Sequence, residues 1–109
     1  MNTLALFARL VRDGGFTLDD DRNDATTGFA VGNGKASLKI HPTIQVVPML
    51  DAFLTSVRGP VGGWIDSETD YIYLDSLSII ADRDEAIARA RAAGEIAIFD
   101  LDAMEEVRV

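Results

Sequence analysis

In 109 residues the chain has no cysteine, one histidine, one tryptophan and two lysines. Without cysteine there are no disulfide staples, thiolate metal sites or cysteine nucleophiles, and a reducing compartment is the natural setting. A lone histidine leaves any zinc site to carboxylates. It also leaves any Ser-His-Asp arrangement a single candidate base, His41, and no G-x-S-x-G elbow accompanies it. His41 precedes Pro42, and no spacing pairs it with an acid such as Asp51, so it reads as a surface residue. No apolar run reaches the roughly 18 residues of a membrane span. The opening MNTLALFARLVRDGG lacks a basic start and is interrupted by Arg9 and Arg12. It reads as a helix, not a signal peptide. A cytoplasmic protein with no cofactor, no resident metal and no membrane contact is the expectation.

What is present is apolar and acidic. Hydrophobic residues make up 48% of the chain, enough for one domain over residues 1–109 with a real core. The net charge of -8 is uneven. Residues 1–59 hold six acids and six bases, whereas residues 60–109 hold twelve acids and four bases. That second half repels nucleic-acid phosphates and anionic membranes and attracts basic protein surfaces. The same charge also serves solubility alone.

Leu4, Leu6, Phe7, Leu10 and Val11 recur at helical spacing, and Gly14-Gly15 stops the helix they mark. Phe16 to Leu18 reads as a short strand. Gly28 to Val31 and Ala36 to Ile40 read as a hairpin turned by Gly32-Asn33-Gly34. Ile44 to Val47 is β-branched and reads as a further strand, after which Pro48 opens a helix marked by Met49, Leu50, Phe53, Leu54 and Val57. Two strands, GGWIDSE and DYIYLDSLSII, flank a turn at Ser67 to Asp70. In the second, Ile72, Leu74 and Ser76 oppose Tyr71, Tyr73 and Asp75. Asp82-Arg83-Asp84-Glu85 has capping-box form; Ala86, Ile87, Ala90 and Ala93 give the following helix an apolar face, and Gly94 ends it. Ile96 to Phe99 reads as a buried strand and Val107 to Val109 as a terminal one, an edge able to pair across a two-fold axis in a homodimer. The expected fold is α+β: one mostly antiparallel sheet with about three helices packed on it.

Three motifs fail on inspection. From Asp19, the stretch DDDRNDATTGFA offers oxygens at calcium-loop positions 1, 3 and 5, but Asp24 stands where Gly is needed and Ala30 where Glu is needed. Gly32-Asn33-Gly34-Lys35 lacks the P-loop's earlier Gly and its following Ser or Thr. The acids of Asp66-Ser67-Glu68-Thr69-Asp70 sit on a tight turn, where carboxylates need not converge. The remaining feature is aromatic. Trp64, Tyr71 and Tyr73 lie on neighbouring strands, either as cross-strand packing or as an exposed anchor flanked by Asp66, Glu68, Asp70 and Asp75 that meets a basic partner.

The pieces Gly62 or Gly63, Trp64 and Asp66, then Tyr73, Leu74, Asp75 and Leu77, then Asp82 to Ala86, then Ala97 to Leu101 form a recurring pattern. With Gly15 to Thr17 and Thr27 to Val31, it resembles a family of small uncharacterised proteins encoded by bacteriophages and bacterial mobile elements. Glu95 departs from it, where the family pattern would carry an amide. The resemblance implies a bacterial or phage-infected cytoplasm and brings no activity and no catalytic residues. Three functional readings stand: an accessory protein acting by protein–protein binding, a nucleic-acid mimic that occupies a host DNA-binding protein, and a carboxylate-metal hydrolase. The binding readings need no enzyme chemistry.

Overall fold

Each helix in this chain is followed by two strands. The computed structural model describes residues 2–42 and 45–109. In order it has α1 (Thr3–Asp13), β1 (Gly15–Leu18), β2 (Phe29–Ile40), α2 (Val46–Ser56), β3 (Val61–Ile65), β4 (Ile72–Ile80), α3 (Arg83–Ala92), β5 (Ala97–Asp100) and β6 (Glu105–Arg108). The helix ends follow local chemistry. Asn2 caps α1 by accepting the Ala5 N–H at 3.1 Å, and Gly14 closes it in the left-handed region at φ 84°. Asp82 caps α3 by accepting the Glu85 N–H at 2.8 Å, while the Glu85 carboxylate pairs forward with Arg89 and does not turn back to the cap.

The six strands form one antiparallel sheet in the order β1-β3-β4-β2-β5-β6. The β3–β4 hairpin is therefore wedged between β1 and β2. Side chains alternate between the two faces. One face carries Phe16 and Leu18 of β1, Val61 of β3, Ile72, Leu74 and Ile80 of β4, and Ile40 of β2. Leu6 and Leu10 of α1 and Leu50, Phe53 and Leu54 of α2 pack on its β1–β4 half. Ala86 and Ala90 of α3 pack on the same face with Val31, Ile80 and Ile98. Small alanines let α3 approach closely, so this second cluster needs few large side chains. All three helices thus cover one face, and the fold is the expected α+β arrangement.

Several local expectations change. Gly28 to Ile40 is not a hairpin: Phe29 to Ile40 form one long strand, because both halves pair with β4. Gly32-Asn33-Gly34 is a bulge: the register passes from Gly32↔Leu77 to Ser37↔Asp75, so residues 33–36 oppose Ser76 alone. The bulge is held from inside. Asn33 Oδ1 accepts the Lys35 N–H at 3.0 Å and the Ser76 hydroxyl, and Ser76 Oγ accepts the Ala36 N–H at 3.0 Å. This accounts for a serine that is 2% exposed among apolar neighbours. Of the strand expected at Ile44 to Val47, Ile44 lies outside the described residues, and Val46 and Val47 open α2, with Pro48 in its first turn where no N–H is needed. Ile96 precedes β5 and is exposed, and Ile98 is the buried residue of that strand. Ala93 is exposed at the α3 C-cap.

Candidate functional site

The sheet face opposite the helices is built from the alternate residues. Register places Gly15, Trp64, Tyr73 and Lys39 in one row across β1-β3-β4-β2, and Thr17, Gly62, Asp75 and Ser37 in the next. Across the sheet, Ala30 pairs with Phe99 and Phe99 with Glu106. No helix among the described residues packs on these side chains.

The aromatic residues converge here. Trp64 stacks on Tyr73 with ring centroids 4.6 Å apart and planes inclined by 15°. Lys39 Nζ lies 4.3 Å from the Tyr71 ring centroid and 5.7 Å from that of Tyr73. His41 packs on Tyr71 at 4.5 Å. Trp64 is 48% exposed, so the stack is not core packing. The acids are placed less uniformly. Asp66, Glu68 and Asp70 belong to the β3–β4 turn, where Asp66 Oδ1 accepts the Glu68 N–H at 2.8 Å and the Asp66 carbonyl accepts the Asp70 N–H at 2.8 Å. Asp75 sits apart from them, one row beyond the aromatic stack. The immediate neighbours of the tyrosines are Lys39 and His41, which sequence reasoning did not place there. Finding Lys39 required the β2–β4 register.

Beyond Trp64 the curled sheet forms a groove of about 890 Å³ that reaches from β1 to β6. Its floor includes Gly15, Gly62 and Gly32. A Cβ on Gly62 would stand 2.9 Å from Leu77 Cδ1, and one on Gly32 would stand 2.7 Å from Glu95 Oε1. The Leu77 and Glu95 side chains therefore lie across the glycines. Trp64 forms one wall and Met104 of the β5–β6 turn another. The acidic stretch after β1 closes a side. Ala25 donates to the Thr17 carbonyl at 3.0 Å, and Leu101 donates to the Gly28 carbonyl at 2.9 Å, so this segment ties β1 to the end of β5. Within it the Asp19 carboxylate accepts the N–H groups of Asp21 and Asn23, both at 2.9 Å. That is an Asx-type loop and not a calcium loop. Among the described residues no group of three or more acids or histidines is placed to hold a metal ion.

Two carboxylates in the groove are unmatched. Arg9 also reaches the groove, but its guanidinium is taken by Asp24 at 2.8 Å. Asp75 and Glu95 make no ion pair or side-chain hydrogen bond among the described residues. Burial pushes the Asp75 carboxyl above its ordinary range. Folding thus favours the protonated form of Asp75, and this residue's contribution to stability declines as pH rises from the ordinary carboxylate pKa through the raised one. Asp75→Asn is expected to be more stable than the wild type above that window and equal to it below. Urea titrations at neutral and acidic pH check this; a neutral-pH loss of stability contradicts it.

The fold and this surface define a two-layer α+β protein with one sheet face left open as a curled, aromatic-walled groove. Compared with protein families, with curated proteins and with solved structures, the chain matches none. No helix of the described residues is long and apolar enough to cross a membrane.

Proposed function

We propose that this chain is a small acidic accessory protein that acts by binding another protein with a basic surface. The observation that carries the reading is the Trp64–Tyr73 stack, exposed on a sheet face that no helix of the described residues covers. Exposed tryptophan and tyrosine side by side supply large contact area at little entropic cost, as binding hot spots do. The charge of -8, all of it arising from residues 60–109, favours a cationic partner and speeds encounter with it. Trp64, Tyr71 and Tyr73 form the contact in this reading, with Asp66, Glu68 and Asp70 on the adjoining β3–β4 turn and Asp75 one row away. A bacteriophage or mobile-element setting in a bacterial cytoplasm is part of the proposal and rests on the resemblance alone.

The test is affinity capture from bacterial lysate with wild type and Trp64→Ala. The variant is expected to lose the partner while losing less than about 1 kcal/mol of stability, since half of the ring already meets solvent. A variant that captures the same partner equally well overturns the aromatic contact. Complete unfolding of the variant shows that the ring is structural and overturns it as well.

A further inference from the structure

We infer that the groove beside Trp64 seats an extended, basic segment of the partner protein, with apolar side chains against Trp64 and Met104 at its two walls and a lysine or arginine beside Asp75 and Glu95. The inference rests on the binding function proposed above and names the place and the kind of segment.

Three observations converge on it. First, two of the five exposed large apolar side chains among the described residues, Trp64 at 48% and Met104 at 71%, stand on this one groove. A tryptophan supplies a rigid anchor and a methionine an adaptable one. Second, no side chain rises from Gly62 or Gly32 on the floor, and what lies across them is the tip of Leu77 and the Glu95 carboxylate, so an incoming chain meets one flexible apolar contact and one acid there. Third, the unmatched charges are of one sign: Asp75 and Glu95 lack cations, whereas the one arginine lining the groove is already paired with Asp24. The burial that raises the Asp75 carboxyl is a cost that a bound cation offsets. Dimensions favour a chain segment over a small molecule. The groove's lining comes from all six strands, which about 4.8 Å apart span about 24 Å, the reach of about seven extended residues.

The position of Glu95 sharpens the point. Its carboxylate lies over Gly32 in the groove. An amide there would keep the contact with Gly32 and remove the charge.

The probes are short synthetic peptides of lysine, leucine and serine, the same peptides with glutamate in place of lysine, and putrescine as a free diamine. Fluorescence of Trp64, the sole tryptophan, reports binding, and amide shifts locate it. The lysine peptides are expected to bind and to shift the amides of Asp75, Leu77 and Phe99. Asp75→Asn combined with Glu95→Gln should weaken them by about tenfold, as loss of a partly desolvated ion pair does. Each of the following overturns the inference: no lysine peptide binds, the glutamate peptides bind equally, the double variant keeps full affinity, putrescine alone binds as tightly as the peptides, or the protein self-associates through the groove. Failure here is separable from failure of the proposed function. If Trp64→Ala loses the lysate partner and the double variant keeps it, the binding function stands and the groove does not carry it. If the double variant loses that partner and Trp64→Ala keeps it, the acidic contact at Asp75 and Glu95 stands, and the apolar seat at Trp64 falls together with the aromatic contact.

Discussion

Replacing Arg22 with alanine is expected to lower the melting temperature by about 10 °C, a loss of about 2 kcal/mol in a domain of this size. Helix α2 ends without the usual devices. Its C-cap, Val57, is extended instead of left-handed, and its last turn holds no basic residue. Its terminal carbonyls would be left to water. Arg22 reaches them from the acidic loop, donating to the carbonyls of Leu54 at 3.1 Å, of Val57 and of Gly59, with a weaker contact to Asp19 O at 3.3 Å. One planar cation thus serves as the missing cap and sits at the negative end of the helix dipole. Lysine at this position should recover less than half of the loss, because an ammonium lacks the fork that meets several carbonyls at once. Arg22 also has φ 66°, a conformation that costs a side-chain-bearing residue about 1 kcal/mol. Arg22→Gly should therefore be about 1 kcal/mol more stable than Arg22→Ala, which separates the backbone from the guanidinium. Thermal melts of the three variants decide it. An alanine variant within about 2 °C of wild type would mean that water caps α2 equally well.

The consequence reaches the groove. Arg22 fastens the loop that follows β1 to the end of α2, and Asp24 and Ala25 of that loop line the groove. A loosened loop should weaken peptide binding even though Arg22 touches no ligand.

Local features were legible in the sequence and non-local ones were not. The Gly14 stop of α1 and the Asp82 cap of α3 were readable because a cap needs only residues within one turn. The β3–β4 hairpin was readable because its alternation and its turn are contiguous. The Gly32-Asn33-Gly34 triplet was misread because the same glycines suit a turn and a bulge, and only the pairing with Leu77 and Asp75 separates the two. Val46 and Val47 have strand propensity, yet they open a helix whose later turns bury Leu50, Phe53 and Leu54. At the site, strand alternation correctly put Tyr71 and Tyr73 on one face. That this face is the open one depends on where α1, α2 and α3 settle. Asp66 to Asp70 drew attention as a contiguous run, yet the acids left unmatched in the groove, Asp75 and Glu95, come from different elements and share no motif.

The consecutive glycines of β3 offer the second large effect, because they are glycine for opposite reasons. Gly62 points into the groove, where a Cβ would press on Leu77 Cδ1, the tip of a half-buried flexible side chain. Gly63 points into the core. There a Cβ would stand 2.5 and 2.6 Å from the Phe16 ring and 3.0 Å from Leu74 Cδ2. Phe16 and Leu74 are themselves buried between the sheet and the helices, so neither has room to withdraw. Gly63→Ala is expected to cost about 3 kcal/mol by overpacking, and Gly62→Ala less than about 1 kcal/mol. If the ring is the obstacle, Phe16→Leu in the Gly63→Ala background should restore part of the loss, although Phe16→Leu alone destabilises. The coupling in that double-mutant cycle should exceed about 1 kcal/mol in urea unfolding. Additive effects would place the strain in the backbone of β3 and not against Phe16. Equal losses at Gly62 and Gly63 would mean that Leu77 is as firmly held as the core, which would make the groove floor rigid and leave the incoming segment to do all the adapting.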